Sequence, residues 1–181
     1  METSEKIKII SEKHEYTSDL KLKHLGYGEW VEEPDEVVFC YKGFNCKVVR
    51  VFVKEPFCED IHYFGGHLCG YLDIPLTHKF SGKDTYDVDV DCHGGVTYSK
   101  QENEKWCIGF DCAHSWDYVP SIEFFKKTYD RNREFQKIFP LPEGFEKYAI
   151  FNPIYRNVEF CINECCGIVD QLIEEENDIL I

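Results

Sequence analysis

Between Asp87 and Asp117 the chain reads DVDVDCHGGVTYSKQENEKWCIGFDCAHSWD, and this stretch gathers most of its chemically capable side chains. Cys112 and His114 stand two residues apart. A thiolate partnered by an imidazole is a nucleophile when a third group orients the ring. His93 would face the pair across a hairpin, and Asp117 or Asp111 would supply the orienting carboxylate. The plainer account of the same residues is a buried thiol beside a hydrogen-bonded histidine.

Metal donors are present too, in His62, His67, Cys69, Cys92, His93, Cys112 and His114. Structural zinc sites show paired C-x2-4-C or H-x3-5-H spacings. Here His62-x4-His67-x-Cys69 matches only in part, and the chain has no C-x-x-C pair. A hard cation would use Asp87, Asp89, Asp91 and Asp117, but alternating aspartates more simply make a solvated strand face. Neither a metal nor another cofactor is therefore expected.

The third chemistry is binding. Gly94-Gly95 exposes backbone N–H groups, and the start of a helix after Pro120 would add more. Such groups hold anions without cationic side chains. Trp106, Trp116 and Tyr118 offer stacking faces for a base or a sugar. The spacing matches neither a P-loop nor a dinucleotide fingerprint.

The elements that must position these residues are read from periodicity. Asp87 to Asp91 alternates, with Val88 and Val90 facing one way and the aspartates the other, which predicts a strand. It continues through Cys92 and His93, past a bulge at Gly94-Gly95, to Ser99. Gln101 to Lys105 is the hairpin loop. The return strand runs from Trp106 to His114, with Trp106, Ile108, Phe110, Cys112 and His114 on one face. Cys107, Gly109 and Asp111 fall on the other, so Cys112 and Asp111 point apart.

Upstream, Val37 to Lys54 reads as a hairpin turning at Lys42–Asn45, bounded by Pro34 and Pro56. Cys58 onward reads as a loop with a Gly65-Gly66 turn, then a strand from Leu68 to Ile74. Residues 1–30 are weakly patterned and expected at the periphery. Downstream, Ser121 is a plausible N-cap for a helix carrying Ile122, Phe125 and Tyr129 and ending near Phe139, before Pro140 and Pro142. A final helix carries an apolar stripe of Val158, Cys161, Ile162, Cys165, Val169, Leu172 and Ile173.

Composition narrows the function classes. The chain has 181 residues, enough for one domain with its own core and no disulfide staple. The net charge of -14 argues against binding nucleic acid phosphates or an anionic membrane surface. About half of it comes from residues 143–181, where nine acids face Lys147 and Arg156, so a basic protein partner could use the acidic C-terminal helix. No stretch is long and apolar enough to span a bilayer, and no secretory leader is recognisable at the N-terminus. The ten cysteines are therefore read as mostly buried thiols of a reduced, cytoplasmic protein.

Two blocks, His93-Gly94-Gly95-Val96-Thr97-Tyr98 and Gly109-Phe110-Asp111-Cys112-Ala113-His114, resemble the motifs of a family of small uncharacterised proteins from bacteria and their phages. That family's pattern is HGG-hydrophobic-T-aromatic, then W-x-x-GFDC(A/S)H with an aspartate three residues on, which Trp106 and Asp117 complete. Gly66–Tyr71, Ile74-Pro75 and Tyr155 with Glu164-Cys165 are similar to further blocks, so the resemblance covers roughly residues 35–173. Cys92 and Cys107 depart from it, an aliphatic and an aromatic residue being usual there. The resemblance implies no activity, but a phage setting would suit a host-facing role such as sequestering a signalling nucleotide.

The expectation is an α+β protein: a mainly antiparallel, twisted sheet of about five or six strands with two C-terminal helices packed on it. Residues 1–30 form a peripheral segment, 31–176 a single domain and 177–181 a tail. The leading function is binding of a small polar or nucleotide-like ligand through His93, Gly94, Gly95, Asp111, His114, Trp116 and Asp117. The alternative is a hydrolase using Cys112 with His93, His114 and Asp117, or a bound metal. A further alternative is an acidic protein-interaction module. The residues leave open whether the chain is an enzyme.

Overall fold

The computed structural model describes residues 6–57, 60–124 and 153–178, with the backbone path alone for 55–57, 60–64 and 175–178. Its centre is a hairpin of two long strands, β3 (Phe44–Phe57) and β4 (Asp60–Ile74), extended on both sides. β2 (Glu36–Tyr41) pairs with β3 through a two-residue turn in which Lys42 and Gly43 have φ of 47° and 84°. Two left-handed residues in succession give the turn whose twist matches that of paired strands. β1 (Lys8–Lys13) adds to β2 at one edge. At the other edge β6 (Lys105–Asp111) pairs with β4, and β5 (Tyr98–Glu102) pairs with β6. The order is β1-β2-β3-β4-β6-β5, antiparallel throughout. The α+β class and the expected strand number hold.

Two upstream boundaries differ from expectation. Gly65-Gly66 does not close a turn but lies inside β4, opposite a register shift between Arg50 and Phe52, with φ of 102° and 90°. Glycine supplies the left-handed backbone that the bulge needs without ending the strand. Pro56 pairs with Ile61 in the ladder instead of bounding the unit.

α1 (Ser18–Leu25) is capped by Thr17, whose Oγ1 accepts from the Leu20 amide. α2 (Val158–Asp178) is capped by Asn157, whose Oδ1 accepts from the Phe160 amide at 2.9 Å. α2 lies on one face of the sheet. Its stripe buries Cys161, Cys165, Ile168, Val169 and Leu172 against Val37, Phe39, Val48, Leu68, Leu72, Ile108 and Phe110. Each large side chain buried there contributes about 1.5–3 kcal/mol before entropy. The second expected helix is visible only as helical backbone over 120–124; its continuation, with Phe125, Tyr129 and the prolines meant to end it, lies outside the described residues. Ser121 does not cap it. Its hydroxyl accepts from the Gly65 amide at 2.8 Å and so ties this turn to β4.

The N-terminal segment lies at the sheet edge yet is bound to the body by buried charges. Lys21 and Arg50 both grip Asp35, at 2.8 and 2.9 Å, with all three buried. Arg50 also donates to the Gly66 carbonyl, to the Tyr155 hydroxyl and to Glu33. Tyr155 donates in turn to Glu33 at 2.7 Å. A buried guanidinium is tolerable when its donors are satisfied in this way. The network joins residues 21–35, β3, β4 and the strand-like segment before α2.

Candidate functional site

The site forms where β6 ends. The return strand was expected to run to His114, but pairing stops at Asp111. Asp111 Oδ1 accepts the Ala113 amide at 2.9 Å, a local turn that competes with the ladder. Residues 114–117 then close a second turn through Asp117 N–H to the His114 carbonyl. Cys112 and His114 therefore part company. Cys112 continues the inward alternation of Ile108 and Phe110, while His114 swings out to the site.

The expected strand over Asp87–Asp91 is absent. Residues 85–87 form a 3-10 turn and the chain then runs without regular structure to Cys92, with a tight turn in which Val90 N–H donates to the Val88 carbonyl. Its alternation is real, since Val88 is buried and Val90 and Cys92 pack on the core. The hydrogen-bonding partner is a helix rather than a strand. Gln171 of α2 accepts from the Asp91 amide and donates to the Asp91 carbonyl, at 2.7 and 2.8 Å. Glu164 of α2 accepts the His93 amide at 2.8 Å. The segment is thus laced to α2 by side chains, which places His93 over the helix N-terminal half. The His93 ring meets Phe160 edge-on at 5.3 Å.

Asp117 is the centre of the site and is buried. His93 Nε2 lies 2.9 Å from both of its oxygens, and His114 Nδ1 lies 3.2 Å from Oδ2. The His114 amide donates to Oδ2 at 3.0 Å, and Arg156 Nε donates to Oδ1 at 3.3 Å. Burial alone would raise the Asp117 pKa, but the hydrogen bonds from His93, the His114 amide and Arg156, with the charge of His93, outweigh it and hold the carboxyl below its ordinary value. One donor atom each from His93, His114 and Asp117 lies within 4.8 Å of the others.

Arg156 and Tyr155 went unmarked in the sequence reading as site residues. A short parallel bridge brings them in: Tyr118 N–H donates to the Ile154 carbonyl, and Ile154 N–H to the Trp116 carbonyl. The sequence signals are a Tyr-Arg pair just before a capped helix and, for Tyr155, the motif block it shares with Glu164-Cys165. His67, which the sequence offers only as a metal donor beside His62 and Cys69, is a further buried group. Its Nδ1 is buried with no hydrogen-bond partner among the described residues. Burial lowers its pKa, against the opposing pull of Asp111 and Asp117.

Gly94 and Gly95 differ in role, with φ of 68° and 86°. A Cβ on Gly94 would collide with the His114 ring, so Gly94 is where two segments touch and does not admit a ligand. Gly95 faces open space. Trp116 lies flat on His114, at 4.9 Å and 10°, and is 45% exposed. Asp111 stands at the rim, 4.0 Å from His114 Nδ1, with one oxygen engaged in its own turn.

Cys112 does not belong to this constellation. It is buried, and its thiol lies 3.7 Å from that of Cys161. That neighbour, together with burial, pushes the Cys112 pKa far up, which disfavours the thiolate that the alternative hydrolase reading needs and accords with the plainer account of a buried thiol. Trp106 is likewise withdrawn, donating to Ser99 Oγ at 2.9 Å. Cys69 and Cys107 are also buried, both pushed up to about 12 by burial. The side chain of His62 lies outside the described residues.

A trough of about 750 Å³ lies elsewhere, on the sheet face turned away from α2, and is lined by Lys47, Tyr71, Asp73, Glu102 and Lys105 among others. It contains none of the residues above except Cys107. Its contacts are ordinary sheet-surface pairs, such as Lys105 with Asp73 at 3.4 Å on adjacent strands, and Tyr71 against Tyr98, which meet over Gly109 of the strand between them. Convergent donors on a buried carboxylate mark a site better than open volume does. No helix among the described residues is long and apolar enough to cross a membrane. Comparison with known proteins gives no family model that matches the chain and no solved structure that matches it.

Proposed function

We propose that the chain binds a small polar, nucleotide-like molecule at the mouth formed by His93, Gly95, His114, Trp116 and Arg156. The observation that carries this reading is the half-exposed Trp116 lying flat on His114, whose ring Gly94 abuts, with the next residue, Gly95, facing open space. A planar ring has a stacking surface there, and the imidazoles and guanidinium below it donate to polar or anionic groups. Asp117 orients these donors and Asp111 forms the acidic rim. A cytoplasmic protein of bacterial or phage origin that sequesters a signalling nucleotide fits this chemistry, and the two motif blocks support such an origin.

Thermal unfolding with nucleoside mono- and diphosphates and cyclic dinucleotides, in chelator, tests the reading. A ligand present at 100 times its Kd stabilises by about 2.7 kcal/mol, which is a readable shift. The shift is expected to vanish in His93→Ala and to shrink in Trp116→Ala. No shift with any of these compounds, or one that persists in both variants, overturns it.

A second reading, hydrolysis, is favoured by the His93–Asp117 pair. A buried carboxylate that fixes the ring of a histidine is the arrangement of an oriented general base. In this version His93 replaces Cys112 as the reacting group.

A further inference from the structure

The geometry points to a binding site for a divalent transition cation of the zinc class, held by His93, His114 and Asp117. The inference uses the same cluster as the ligand reading but does not depend on it.

Two imidazoles from separate segments aim ring nitrogens at one carboxylate. His93 comes from the segment laced to α2, and His114 from the turn after β6. Their rings stand nearly perpendicular, with centroids 5.3 Å apart. His93 Nε2 is 2.9 Å and His114 Nδ1 3.2 Å from Asp117 Oδ2, and all three donor atoms lie within 4.8 Å of one another. For a cation at roughly 2.0–2.1 Å from each donor, the two nitrogen-to-oxygen separations subtend angles of about 90–105°, between octahedral and tetrahedral values, and the two ring nitrogens must come within about 4.2 Å of each other. Two imidazoles and one carboxylate suit borderline cations, and three protein donors leave at least one position open to water or ligand.

The surroundings have the features of a supporting shell. Arg156 holds Oδ1 of Asp117 at 3.3 Å, and the His114 amide holds Oδ2, so the carboxylate is fixed in orientation. Trp116 fixes the plane of His114, and Phe160 that of His93. His67 adds an independent observation: its Nδ1 is buried with no hydrogen-bond partner among the described residues, and the charges of Asp111 and Asp117 act on it. Native structures seldom leave such an atom unpaired unless a water or ion completes it.

The test uses the whole chain, stripped with chelator under reducing conditions and without added nucleotide. Titration with Zn²⁺ by calorimetry should give one equivalent at micromolar Kd or tighter. Titration with Co²⁺ should give visible bands without the intense near-ultraviolet thiolate charge transfer, because the ligands are nitrogen and oxygen. His93→Gln and Asp117→Asn should each weaken Zn²⁺ binding by more than ~100-fold, beyond the usual effect of losing a supporting partner. Wild-type binding weaker than millimolar overturns the proposal, as does thiolate charge transfer or undiminished affinity in both variants. The cobalt spectrum is read on wild-type protein, so it decides the ligand set even where a variant fails to fold. Since the nucleotide assay is run in chelator, failure of one proposal is distinguishable from failure of the other.

Discussion

Asp117 accepts from four groups, and its energetic role follows from that count. Asp117→Asn keeps the shape but removes the charge that two imidazoles and Arg156 address. The expected loss is about 2–4 kcal/mol in urea unfolding at neutral pH. The sign with pH is fixed by the lowered carboxyl pKa. A carboxylate depressed in the native state contributes stability above its unfolded value, near 3.9, and loses it as pH falls through the native value. The gap between wild type and Asp117→Asn, measured in chelator, should therefore be widest above about pH 5 and close toward pH 2. A gap that widens on acidification would contradict the assignment. The two adjacent glycines give a paired expectation. Gly95→Ala meets only left-handed backbone strain of about 1–2 kcal/mol, whereas Gly94→Ala meets that strain and the His114 ring as well. Gly94→Ala should cost clearly more and should broaden or shift the His114 ring resonances, while Gly95→Ala should leave them in place.

The segment from Val88 to His93 shows why period alone misassigns an element. Alternation reports which side chains face the core, not which groups take up the backbone hydrogen bonds. Val88, Val90 and Cys92 face inward as a strand would have them, but Gln171 and Glu164 stand in for a neighbouring strand. Those two residues sit on the polar flank of a helix and look like solvated positions in sequence. The 3.6 period of α2 itself was legible, as was the β2–β3 hairpin, because each buries a continuous apolar face against one partner. β6 was legible only as far as Asp111, where a side-chain turn ends the ladder and separates His114 from Cys112. Gln171→Ala removes both bonds to residue 91. It should destabilise by about 1–3 kcal/mol and raise amide exchange at residues 91–93 before the rest of the sheet. Exchange that rises uniformly would mean that the segment is not held by this pair.

At the scale of the whole molecule, the site depends on a buried charge network that never touches it. Asp117 and Arg156 lie on segments with no ladder partner beyond one parallel bridge among the described residues. The anchor is Tyr155, next to Arg156 in sequence, whose hydroxyl accepts from Arg50 at 2.8 Å and donates to Glu33 at 2.7 Å. Burial pushes the Tyr155 pKa well up, against Arg50, so its proton stays in place to make the second bond. Arg50 also joins Asp35, which Lys21 grips from α1. None of this was legible in the sequence, where Lys21 and Arg50 look like ordinary exposed cations; their partners are brought together only by the fold. Replacing Arg50 with Met leaves Glu33 without its cation and the Tyr155 hydroxyl without a donor. The expected cost is about 3–5 kcal/mol, as for breaking other buried pairs. Tyr155→Phe should cost less, about 1–3 kcal/mol, because it removes two hydrogen bonds and no charge. If the network acts as one unit, the double variant should fall short of the sum of the singles by more than about 0.5 kcal/mol. Tyr155→Phe should also loosen the Arg156 contact, seen as a rise of the Asp117 carboxyl pKa by carbon-detected NMR. Additive losses with an unmoved carboxyl would show that the clasp stabilises the fold without positioning the site.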